Sequence, residues 1–373
     1  METALELLRQ SGIANLSIGN LVMFVVAGVL IFLAITKEYE PLLLIPIGFG
    51  AILANLPLAQ MGSYGEGIIA LIYEGGIRTE LLPPLIFLGV GVLTDFRPLL
   101  GRPLTFVLGA SAQLGIFVAA LGAGYLLNFT PGEAASIGII GGADGPTSIF
   151  LTAQLAPHLL GAVAVAAYSY MSLVPIIQPP ILRLLTTQRE REIDMPQAIP
   201  VSKTAAILFP IVTGVLASLA VPSSAPLIGM LMFGNLLREC GVTERLRKTA
   251  GGSMIDIVTI FLGIAVGATM DAEHFLTFRT IQILILGAIA FSFSTAGGIV
   301  FAKILNMFLT NKINPCIGAA GVSAVPMAAR VVQRFVSDKT DGRVNPLMPA
   351  MGPNVAGVIG SAVAAGVFLT LIG

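Results

Sequence analysis

The sequence predicts an all-α polytopic membrane protein, and three observations carry that prediction. Mean hydropathy is +0.92, and only 11% of the 373 residues are charged, against about 25% in a soluble domain. Apolar runs of roughly 20 residues, the length that crosses a bilayer as a helix, recur along the whole chain. The short, alternating segments of an outer-membrane barrel are not the pattern here.

Each element follows from local sequence. METALELLRQSGI has neither a basic n-region nor a cleavage site, so residues 1–14 are expected to form a short amphipathic surface helix. Apolar segments follow near 15–36, 41–57, 66–76, 81–95, 103–128, 132–157 and 159–185. The polar stretch TTQREREIDMPQAIPVSK, residues 186–203, reads as a linker between a first membrane unit, 15–185, and a second, 204–373. The second unit carries apolar segments near 204–222, 225–240, 254–270, 279–309, 313–331 and 346–372. Several are too short, or too rich in Gly and Pro, to be plain spans. Ten or eleven membrane elements are expected, some broken or re-entrant.

The two units look related. FGAILAN (49–55) resembles FGNLLRE (233–239), 184 residues on. IFLG at 86–89 recurs at 260–263, 174 residues on, each time followed by a glycine and then an aspartate, Asp95 or Asp271. IGIIGGADGP (137–146) aligns with IGAAGVSAVP (317–326), 180 residues on. Two repeats, inverted if each makes an odd number of crossings, are a common plan of secondary transporters. Their ion sites lie where matching Gly/Pro-interrupted helices meet.

Here those segments are 132–157 and 311–331. Gly and Pro free backbone carbonyls from the helix ladder. In lipid such carbonyls survive only when buried or lining a cavity. Carbonyls, hydroxyls and one carboxylate are the ligand set of a hard cation. The first segment offers Asp144, Thr147 and Ser148; the second offers Asn314, Ser323 and carbonyls near Gly318. An ionisable group at membrane depth is a functional candidate by default. Three readings of Asp144 are open: an ion pair with a cation such as Arg330, a proton site, or an alkali-cation site. Arg330 faces either headgroups or an anionic carboxylate, which suits a guanidinium fork. Tyr170 is either packed or supplies its hydroxyl. Asp95 and Asp271 adjoin segment ends and read as caps or solvated groups. Asp256 reads as a residue favouring a helix N-terminus. Cys240 and Cys316 read as inert thiols, and His158 and His274 as edge residues. Zero net charge argues against nucleic acid.

GGADGPTSIF (141–150) resembles the signature of the β subunits of the biotin-dependent, sodium-translocating decarboxylases. NPCIGAAGVSAVPMAARV (314–331) and GPNVAGVIGSAVAAGV (352–367) extend the resemblance over nearly the full chain. It implies a multi-pass subunit of a bacterial cytoplasmic membrane, with two repeats in an elevator-like arrangement. It implies decarboxylation of carboxybiotin with consumption of a proton, coupled to sodium export. The biotin arrives on a carrier subunit. The resemblance also implies a soluble carboxyltransferase α subunit, a small membrane-anchored γ/δ-type subunit and association with further copies of this chain. Asp144, Asn314, Gly318 and Ser323 match the family's sodium-site positions. Asp144, Tyr170 and Arg330 match positions of the ion and proton path, with Arg330 placed for carboxybiotin. The compact length fits the acyl-CoA decarboxylases better than the oxaloacetate type. The competing class is a stand-alone sodium- or proton-coupled organic-anion carrier without decarboxylase activity.

Overall fold

The computed structural model describes residues 11–59, 61–62, 67–195 and 199–373, and no strand occurs among them. The surface helix expected over 1–14 falls mostly outside the described residues; residues 11–14 form a turn. Before the linker come α1 (Ile18–Lys37), α2 (Pro41–Ala54), α3 (Ile68–Arg78), α4 (Leu82–Leu93), α5 (Leu104–Leu127), α6 (Pro131–Gly138), α7 (Gly145–Leu155) and α8 (Leu160–Leu185). After it come α9 (Lys203–Ala220), α10 (Ala225–Glu239), α11 (Glu244–Gly267), α12 (Phe278–Phe308), α13 (Met327–Lys339) and α14 (Leu347–Ile372).

Seven of these, α1, α5, α8, α9, α11, α12 and α14, are long and apolar enough to span a membrane. The pair α3–α4, bent by 65°, makes an eighth if counted as one span. The ten or eleven expected elements thus divide into these spans, the shorter α2 and α10, and the pieces of two broken segments. The chain is a multi-pass helical membrane protein.

Local chemistry sets the helix starts. Ser17 accepts the backbone N–H of Asn20 at the head of α1, and the Asn20 side chain answers to the Ser17 N–H. Thr130 and Glu133 form the same reciprocal cap on α6, with Pro131 at its first position. Asp271 caps a short helical turn through the backbone N–H groups of Glu273 and His274. Asp95 accepts the Arg97 N–H and pairs with Arg238 at 3.7 Å. Both aspartates therefore act at segment ends. His158 contacts Glu133 at 2.9 Å and His274 contacts Asp271 at 2.7 Å. Cys240 and Cys316 are free thiols.

The helices meet backbone to backbone. A Cβ on Gly50 would lie 2.4 Å from the Ile264 carbonyl, and one on Gly267 would lie 2.0 Å from that of Ile47. A Cβ on Gly234 would lie 2.1 Å from the Leu88 carbonyl, and one on Gly91 would lie 2.0 Å from that of Leu231. So α2 crosses α11 on a pair of glycines, and α10 crosses α4 in the same way. Small residues at such crossings let packing, rather than hydrophobic burial, hold helices together in lipid.

Candidate functional site

The first broken segment interrupts its helix in four residues. After α6 a tight 3₁₀ turn, Ile139–Gly142, carries the chain to Ala143, which sits in the left-handed region at φ 52°. Asp144 then returns to extended backbone and caps α7, accepting the Thr147 N–H at 3.1 Å. Its carboxylate therefore lies at the positive end of a helix dipole, which favours negative charge.

The second broken segment runs as a seven-residue 3₁₀ turn, Pro315–Gly321. Extended Val322, a tight turn in which the Val325 N–H donates to the Ser323 carbonyl at 2.8 Å, and the cis Val325–Pro326 bond lead from it into α13. The segments touch where each is broken: the Ser323 N–H donates to the Gly142 carbonyl at 2.8 Å. A third element joins them. Ser361, on α14, donates to Asp144 Oδ2 at 2.5 Å, and the Ser323 hydroxyl donates to Ser361 Oγ at 3.0 Å. Asp144 and Ser323 are thus linked through Ser361. Among the described residues no cationic side chain lies within ion-pair distance of Asp144, so the pairing with Arg330 is not made.

Two buried amides hold the backbone that the break frees from the helix ladder. The Asn354 side chain, on α14, donates to the carbonyls of Val322 and Ala324 at 2.7 and 3.3 Å. The Gln113 side chain, on α5, donates to the Gly321 carbonyl at 3.2 Å. Each amide thereby turns its oxygen to an interior with no donor. Asn354 Oδ1 and Gln113 Oε1 are buried and lack a hydrogen-bond partner among the described residues, as does the Tyr168 hydroxyl. The Tyr168 ring lies against Gly145, where a Cβ would fall 2.0 Å from Cε1 and 2.7 Å from the hydroxyl oxygen. The Gln113 amide oxygen lies 3.4 Å from the position of a Gly142 Cβ. Buried oxygens without donors cost about 1–3 kcal/mol each unless something satisfies them. These oxygens, one carboxylate and two hydroxyls are hard donors, the ligand chemistry that suits an alkali cation.

The remaining predicted residues lie elsewhere. Asn314 caps the 3₁₀ turn through the Cys316 N–H and donates to the linker carbonyls of Arg191 and Ile193 at 3.0 and 3.2 Å. Seven residues of 3₁₀ helix at about 2 Å each separate it from the Ser323 end. Gly318 meets Gly298 of α12 backbone to backbone, with a Cβ on either falling 2.0–2.1 Å from the other's carbonyl oxygen. Tyr170 donates its hydroxyl to the Leu284 carbonyl on α12, and so points away from Asp144. The tyrosine beside the carboxylate is Tyr168. Arg330 is exposed and lines a cavity of about 190 Å³ with Glu40, Met171 and Ala324.

The family model for the Na+-transporting oxaloacetate decarboxylase beta subunit matches residues 19–372. The chain belongs to this β-subunit family. It is 56% identical over 367 residues to the methylmalonyl-CoA decarboxylase subunit beta of Veillonella parvula, covering 98% of this chain and 97% of that one. It is 54% identical over 368 residues to the glutaconyl-CoA decarboxylase subunit beta of Acidaminococcus fermentans, covering 99% and 97%. It is 48% identical over 431 residues to the oxaloacetate decarboxylase beta chain of Klebsiella pneumoniae, covering 100% and 99%. A β subunit of these sodium-transporting, biotin-dependent decarboxylases works with partner subunits. Membership sets aside the stand-alone carrier.

Proposed function

We propose that this β subunit binds sodium at the junction of its two broken segments. Asp144 supplies the charge, and Ser323, Ser361, Gln113 and Asn354 supply neutral oxygens. A biotin-carrier subunit presents carboxybiotin, which loses CO₂ as its ring nitrogen takes up one proton. Asp144 alternates between cation and proton, because a buried carboxylate needs one or the other to balance its charge. The two occupancies bias two states of the carrier, without which nothing couples. Arg330 receives the anionic carboxylate. Asn314 and Gly318 act by position, holding the linker and the α12 crossing against the second break. Tyr170 ties α8 to α12 along the path.

The observation that carries this reading is the Asp144–Ser361–Ser323 chain, with orphaned amide oxygens on the neighbouring helices and, among the described residues, no cationic side chain paired with Asp144. The reading extends to two related repeats, inverted in the membrane, moving in an elevator-like manner. The exchanged glycine crossings, α2 on α11 and α10 on α4, support the repeat relation. The complex resides in a bacterial cell membrane with a carboxyltransferase α subunit, a γ/δ-type anchor and further copies of this chain. Asp144→Asn, in the reconstituted complex, should abolish sodium-stimulated decarboxylation while the subunits still assemble. Normal sodium-stimulated turnover in that variant sinks the proposal.

A further inference from the structure

On α8, Met171, Pro175, Pro179 and Arg183 recur every four residues and so share one face. Opposite them on α13 stand Met327, Val331 and Arg334 at the same helical spacing. The two faces line successive cavities. The inner one, about 190 Å³, reaches Met171, Met327, Arg330 and Ala324, the neighbour of Ser323. The outer one, about 240 Å³, lies between Pro175, Pro179, Val331, Arg183, Arg334 and Lys339. From Met171 to Arg183 the α8 face rises about 18 Å.

The charge along this groove is uneven. Arg330 stands at the inner end, and Arg183, Arg334 and Lys339 stand at the outer end. None of the four makes an ion pair among the described residues. Carboxylates are fewer: Glu40 at the inner end and Asp338 at the outer. The middle is apolar. A groove of this kind fits an alkyl arm with an anionic head, carried on an acidic protein surface.

We propose that the α8–α13 groove is the track on which the biotin carrier docks. Its outer arginines bind an acidic face of the carrier, and the arm lies along Pro175, Pro179 and Val331 to bring its carboxylated end to Arg330. This rests on the decarboxylase reading above and adds the carrier's landing site. Anionic phospholipid is the other ligand for exposed arginines. The inner cavity, farther along the same two helix faces, is lined by Ala324, the neighbour of Ser323, and this favours the arm. Exposed cations at the outer end, without an ion pair among the described residues, also steer an anionic partner, an effect that salt weakens.

The test uses the β subunit in nanodiscs and its biotinylated carrier subunit. R183E/R334E should weaken carrier binding roughly tenfold or more, R183K/R334K should hold it within about twofold, and raising salt from about 0.05 to about 0.3 M should weaken the parent but hardly the reversed variant. Both arginines are exposed, so these changes spare the fold. Carrier binding by R183E/R334E equal to the parent's overturns the proposal. So does a variant that loses only its retention of anionic-lipid vesicles, since the groove then serves headgroups. A parent that binds carrier with this charge dependence, yet releases no CO₂ from the carboxylated carrier, supports docking and removes the decarboxylase reading.

Discussion

Replacing Ser361 by alanine removes one hydroxyl and little volume. That hydroxyl donates to Asp144 Oδ2 at 2.5 Å and accepts from Ser323 Oγ at 3.0 Å. A hydrogen bond to a charged group is worth about 1.5–3 kcal/mol. Its loss leaves the carboxylate with the Thr147 N–H alone among these bonds, loosens its orientation and strengthens competition from protons. If the whole amount is lost from cation binding, the sodium concentration for half-maximal decarboxylation rises roughly 10- to 150-fold. The assay is initial-rate decarboxylation against sodium concentration in the reconstituted complex at fixed pH. Maximal rate at saturating sodium should fall less than the affinity does. A half-saturation point within about twofold of the parent, on a folded variant, would refute the reasoning that Ser361 organises the site.

Two further outcomes follow from the same structure. Gly145→Ala places a Cβ 2.0 Å from the Tyr168 ring, and should destabilise the subunit by about 1–3 kcal/mol; thermal unfolding in detergent reads this, and pairing the change with Tyr168→Ala should recover part of it. Outside the membrane, Glu190 is held below its ordinary value of 4.5: burial raises it, but bonds from Thr187 and the nearby Lys303 ammonium lower it further. A depressed carboxylate contributes stability above its unfolded value and loses it as pH falls through the folded one. Amide exchange over residues 187–191 should therefore stay slow through the ordinary carboxylate range and quicken only at more acid pH. Quickening that begins above pH 4.5 would contradict the assignment.

Much of the site is legible because it breaks local rules. Asp144 and Ser323 sit where Gly and Pro forbid a continuous helix, and the structure joins those two breaks. Gly318 lies in the same second break, but there it meets Gly298 of α12 backbone to backbone, a contact that the segment alone does not signal. Asn314 was not, because an Asn beside a break can serve as a ligand or a cap, and only the folded linker decides: its amide goes to Arg191 and Ile193. Ser361, Gln113 and Asn354 had a fainter signal. Gln113 is the one amide side chain in α5, Asn354 is the one asparagine in α14 and Ser361 its one serine. A lone polar group in a membrane helix is a functional candidate by itself, though its partner segment is not written nearby. Tyr168 and Tyr170 differ by about 200° around α8 at 3.6 residues per turn. Which one faces Asp144 depends on how α8 is rotated against α7, and that is fixed by packing between distant residues.

The central claim is that one carboxylate-centred site couples loss of CO₂ to movement of sodium. The most direct measurement follows both at once: sodium-22 entering proteoliposomes and CO₂ released from carboxybiotin by the reconstituted complex. The account predicts that the two proceed in fixed ratio in the parent. It also predicts that Asp144→Asn stops both and that Ser361→Ala shifts both along the same sodium axis. Decarboxylation that continues in Asp144→Asn at the parent's rate, with or without sodium uptake, would contradict it.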